Sequence, residues 1–155
     1  MSHEYTYDIS MFRDTFETRF TYLNGFLRNV SRFGSRPALF DPHSGRRWTY
    51  RELNAEANRL AHALRADGVG KNDVVMFTLL NSPEFVFCYL AAHKIGAVAC
   101  PVNYRQGAGE IALVIDDSTP KAFIYDAEFG ELSGGALDLC ESKPAIKIVV
   151  GADDA

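Results

Sequence analysis

Four apolar runs in this chain show almost no polar alternation. They are VVMFTLL at 74–80, the small-residue segment 97–102, KAFIYD at 121–126 and IKIVV at 146–150. A strand with one face in water alternates polar and apolar residues, whereas a strand covered on both faces does not. Strands of the covered kind, separated by helical segments, predict a mostly parallel sheet with helices on both faces, an α/β fold.

The helices between these runs carry their own start and stop signals. Thr49-Tyr50-Arg51-Glu52 has the spacing of a capping box, with Trp48 and Leu53 placed as its hydrophobic staple. Leu53, Ala57, Leu60, Ala61 and Leu64 then follow one face at a 3.6-residue period, and Gly68 supplies a left-handed stop. Ser82 followed by Pro83 starts a second helix, which Gly96 ends. Further helices are predicted at about 109–117 and, diluted by Gly134-Gly135, at 128–142. Ahead of this body, PALFDPHSGRRWTY predicts a β-hairpin turning through residues 41–45. Aromatic residues at helical spacing within 10–33 predict one or two N-terminal helices. The expected organisation is a single domain over 1–155, with a helical lead-in (1–35) and an α/β body (36–151).

Composition narrows the function classes. A net charge of −4 with well-mixed signs lacks the basic footprint of a nucleic-acid binder. The longest apolar stretch, Phe85 to Val102, is broken by His93, Lys94 and Gly96, so no membrane span is expected. MSHEYTYDIS lacks the apolar core of a secretory signal. Cys88, Cys100 and Cys140, odd in number and without a C-x-x-C, read as reduced thiols of a cytoplasmic protein.

Local motifs point to no active centre. Gly107-x-Gly109-x-x-Ala112, followed by Asp126 at a strand end, outlines a dinucleotide-binding fingerprint. Against it, Pro101 to Gln106 separate the glycines from the strand, and Glu110 sets a negative charge where a pyrophosphate would lie. A dinucleotide-binding domain therefore stays a minor alternative. His3, His43, His62 and His93 are scattered, and Asp116-Asp117 reads as a solvated turn. No catalytic and no metal-ligating residue is assigned.

Three segments, WTYRELNAEANRLAHALRADGVGKNDVV, LLNSPEFVFCYLAAHKIGAVACPVNYR and EIALVIDDSTPKAFIYD, occur in this order. Together they resemble the N-terminal part of AMP-forming acyl-CoA synthetases, of the adenylate-forming superfamily. The resemblance runs from about Arg36 to Asp126, more weakly to Gly151, and rests on the T-Y-x-E-L helix start and the G-A-V-x-x-P-x-N strand end. It departs from the family pattern at Leu80 (usually proline), at Asn72 (usually glycine) and at Gln106–Gly109, which lacks the usual Ser/Thr-Pro-Glu-Glu. The resemblance implies a parent ligase of fatty-acid or related acid metabolism. That parent uses ATP and Mg to form an acyl-adenylate and then passes the acyl group to CoA, or to a carrier protein. The family's phosphate loop, Thr-Glu metal element, ribose-binding Asp and C-terminal lysine have no counterpart between Met1 and Ala155.

Three expectations follow. The chain is the front piece of a larger ligase, binds no cofactor by itself and does not adenylate alone. Its partners are the remainder of the parent chain and, through apolar area near Ile146–Val150, further copies of itself as a homo-oligomer; a stand-alone scaffold module is the alternative. The polar stub Asn103-Tyr104-Arg105 ends a buried strand at the sheet edge where ligands of α/β proteins lie. It either lines the acyl or CoA side of the cleft, or, as preferred, Asn103 bonds backbone in the turn while Arg105 pairs with a nearby acid.

Overall fold

The structure, a computed structural model, describes residues 8–151; His3 and the start of the lead-in lie outside that range. The lead-in begins with α1 (Ile9–Arg13), continues through a π-turn over Asp14–Arg19, and becomes α2 (Tyr22–Phe33). Thr21 caps α2 by accepting from the Asn24 N–H at 3.2 Å. The hairpin pairs β1 (Pro37–Phe40) with β2 (Arg47–Thr49), antiparallel, with a register shift at Ala38. Its turn is tied by Asp41, whose carboxylate accepts from the N–H groups of His43 (3.0 Å) and Ser44 (3.3 Å).

The body starts with α3 (Tyr50–Ala66), entered through the predicted capping box. Thr49 Oγ1 accepts from the Glu52 N–H at 3.3 Å, and Glu52 Oε2 accepts from the Thr49 N–H at 2.8 Å. Then follow β3 (Val74–Thr78), α4 (Pro83–Ile95), β4 (Val98–Pro101), α5 (Ala108–Ser118), β5 (Ala122–Asp126), a 3-10 turn over Ala127–Phe129, α6 (Gly130–Leu139) and β6 (Ile146–Val150). Gly68 and Gly96 both take positive φ, +88° and +74°, as stops in the left-handed region. Asn72, standing where the related pattern has glycine, adopts φ +68°.

The four body strands form one parallel sheet in the order β4-β3-β5-β6. Alternate residues of β3 divide the core. Val75 and Phe77 face the α3–α4 layer together with Leu64, Cys88 and Ala91, while Met76 faces α5 and α6 with Ile111, Ile115 and Ala136. Both faces of the central strands are thus dry, as their unalternating sequence requires. Complete burial of Phe77 and Phe123 contributes about 1.5–3 kcal/mol each. α4 is apolar on two sides: its Leu90 turns outward into a third cluster with Phe26, Trp48, Leu53 and Ala57, where α2 and the hairpin pack on the helix layer.

Two local expectations change. The last helix is shorter than its apolar pattern, since the 3-10 turn takes the first residues and Cys140–Ala145 form a loop. Asp116 is not a solvated turn residue; within α5, its Oδ1 accepts the Ser142 N–H at 2.8 Å and pins the loop before β6.

Candidate functional site

Parallel strands deliver all their carboxyl ends to one edge of the sheet, and three of them meet here. The chain leaves β3 through Leu79, Leu80 and Asn81, leaves β4 through Val102 and Asn103, and leaves β5 through Asp126 into the 3-10 turn. Tyr104, after β4, stacks on Phe129, after β5, with ring centroids 5.1 Å apart and planes within 10°. The hairpin turn stands opposite. Between turn and edge lies a cleft of 630 Å³, whose lining includes His43, Arg46, Asn81, Ser82, Glu84 and Tyr104. Its volume suits a small-molecule ligand.

The walls are fixed by backbone chemistry. Ser82 Oγ accepts the Phe85 N–H at 3.4 Å, so the first turn of α4 opens onto the cleft. Arg46 lies over the Trp48 ring at 4.6 Å, which steadies a cation at the rim. The Ser44 hydroxyl, with the His43 N–H second, holds the Asp41 carboxyl below its usual range, so the turn keeps its negative charge.

Of the predicted stub, only Tyr104 lines this cleft. Asn103 Oδ1 accepts the Arg105 N–H at 3.0 Å, a closed turn. Arg105 differs from the expected acid pair: among the described residues no carboxylate bridges to it, and its guanidinium lies 5.6 Å from the centroid of the Tyr104 ring. The opposite wall of the cleft has no local signature in the sequence. Turn formers at 41–45 announced the hairpin, but nothing local says where a hairpin docks.

Cys88 and Cys100 lie outside the lining of this cleft, and neither is an activated nucleophile. The Cys88 thiol is buried and pushed up to about 12, by desolvation first and the charge of Glu84 second; burial also raises Cys100. Among the described residues no cluster of His, Cys, Asp and Glu is arranged to hold a metal. The glycines at the start of α5 do not fit a pyrophosphate either, because Glu110 Oε2 already takes the Gly107 N–H at 2.8 Å. This arrangement can bind and orient a small molecule, with Arg46 and the first turn of α4 as its groups of positive character. No helix among the described residues is long and apolar enough to cross a membrane.

Comparison with known proteins places these features in context. The profile of the AMP-binding enzyme family matches residues 26–155. A 3-hydroxybenzoate–CoA/4-hydroxybenzoate–CoA ligase of Thauera aromatica is 44% identical over 107 residues, covering 69% of this chain and 20% of its own length. The long-chain-fatty-acid–CoA ligase FadD13 of Mycobacterium tuberculosis is 42% identical over 116 residues, covering 75% and 23%. The solved N-terminal domain of FACL13 from Mycobacterium tuberculosis superposes with a TM-score of 0.74 at 32% identity, covering 81% of this chain and 32% of that one. The chain thus spans about a fifth to a quarter of the length of these curated relatives.

Proposed function

The chain belongs to the AMP-binding enzyme family, and from that premise we propose that it forms the N-terminal part of an AMP-forming acid–CoA ligase. In that reaction a carboxylate attacks the α-phosphate of ATP, releasing pyrophosphate and leaving an acyl-adenylate. The CoA thiol then attacks the acyl carbon and expels AMP. The role of these residues is to build the sheet edge against which the acyl-thioester side of the cleft closes. ATP and Mg are handled by residues outside Met1–Ala155, since the sequence has no Ser/Thr/Gly-rich loop ending in lysine. The protein works in the cytoplasm with its thiols reduced, and it self-associates.

The observation that carries this reading is the convergence of three strand ends on Tyr104, with Arg105 beside it and exposed. A cation to which no carboxylate bridges among the described residues, at a ligand edge, suits an anionic group, and a CoA phosphate is the anion this chemistry brings. In the full-length ligase, Arg105→Ala should raise the KM for CoA about tenfold, the worth of one charge-assisted hydrogen bond. The KM for ATP and the thermal stability should stay put. An unchanged CoA KM would return Arg105 to a purely structural turn. The isolated chain should give acid-dependent ATP–pyrophosphate exchange no faster than buffer; measurable exchange would overturn the assignment of phosphate chemistry to residues elsewhere.

A further inference from the structure

A second cleft, of 640 Å³, lies on the outer side of the helix layer, between α2, β1, the start of α3 and α4. It shares no residue with the cleft at the strand ends. Its floor is the third apolar cluster: Phe26, Leu53 and Leu90 are all buried there. Its exposed edge carries Arg28 and Thr21 beside the rings of Phe20 and Tyr22, with Asn29 half-buried.

Charge gives this cleft a direction. Arg28 is the only charged side chain among its described lining, in a chain whose net charge is −4. No carboxylate among the described residues bridges to Arg28, which lies 5.5 Å from the Phe20 ring centroid. A second cation stands behind the floor, since Lys94 Nζ is 5.8 Å from the centroid of Phe26. An apolar floor with a single cation at its edge complements a molecule with an apolar body and an anionic head.

The glycine at position 25 is an independent sign. It is the fourth residue of α2, where glycine weakens a helix relative to any ordinary side chain. Crowding does not explain it: a Cβ built there would meet no atom within 4 Å. Gly25 lines the cleft, and a side chain at this position would occupy it.

We propose that this outer cleft binds an apolar carboxylate, held by its hydrocarbon on Phe26, Leu53 and Leu90 and by its head on Arg28. It is an accessory site, separate from the sheet edge and independent of any reaction there.

The test is an amide chemical-shift titration of the 155-residue chain with octanoate, and with octan-1-ol as the uncharged control. Octanoate should give saturable shifts centred on Gly25, Leu39 and Leu53. Arg28→Gln should weaken octanoate about tenfold and leave octan-1-ol unaffected. Gly25→Leu should abolish both while keeping or raising the melting temperature, so that lost binding cannot be put down to lost folding. Three results would each overturn the proposal. They are an absence of saturable shifts at those amides, unchanged binding by folded Gly25→Leu, and equal losses for acid and alcohol in Arg28→Gln.

Discussion

Asp73 ties three parts of the chain together through one carboxylate oxygen. Its Oδ2 accepts the Gly70 N–H at 2.8 Å and faces Lys121 Nζ at 3.0 Å, while the same ammonium donates to Gly68 O at 2.6 Å. The turn after α3 is thereby clamped to the start of β5. The Gly70 N–H first, and the Lys121 hydrogen bond second, hold the Asp73 carboxyl below its usual range. The unfolded chain then binds more protons than the folded one as pH falls, and the sign is fixed. The contribution is fully present above the unfolded carboxylate value of about 4 and is lost as pH drops through the lowered native value. Asp73→Asn should therefore melt below the parent chain at pH 7, with the gap closing in melting scans taken below about pH 4. A gap independent of pH would mean that the charge of Asp73 does not matter. Single residues of this kind were partly legible in the sequence. Asn72 stands where the related pattern has glycine, and that exchange is compatible with its left-handed φ because Asn tolerates that region. Thr119, at φ +41° before Pro120, was not legible, because a β-branched residue carries no local signal for it.

Among the elements, α3 shows most directly how a local pattern becomes structure. Its capping box needs only four consecutive residues, so it could be read without knowing the fold. Thr49→Ala removes the acceptor of the Glu52 N–H and should cost about 1 kcal/mol, measured as a lower urea midpoint with an unchanged slope. Replacement by serine should restore most of that loss. The start of α5 was only half legible. Gly107 has no side chain to cap with, and Glu110 reaches back alone to satisfy the Gly107 N–H. The charge that argued against a dinucleotide site thus also has a structural task. The length of α6 was obscured for another reason: the loop after it is pinned by Asp116, 26 residues earlier, and periodicity does not record such contacts.

On the scale of the whole molecule, the sequence pattern implied the sheet and its two covered faces, but not the strand order that leaves β4 and β6 at the edges. Nor did it imply the seating of the hairpin against the strand ends, because docking depends on the combined surfaces of α2, α3 and α4. The strand order has a consequence for association. Among the described residues β6 pairs only with β5, and its Val149 is 41% exposed; Val98, on the opposite edge strand, is 50% exposed. Leu113 and Leu139, on the helices covering one face, are exposed as well. An uncovered strand with an apolar outer residue is a template for another strand. Sedimentation velocity on the chain should accordingly show dimers or larger species that grow with concentration. Val149→Lys places a charge on the edge without touching Ile146, Ile148 or Val150, which pack against the core. It should shift the distribution toward monomer at an unchanged melting temperature. A clean monomer over the full concentration range would contradict self-association altogether. Equal association by Val149→Lys would remove β6 from the contact and point instead to other exposed apolar residues, among them Val98 on β4 and the leucines of α5 and α6.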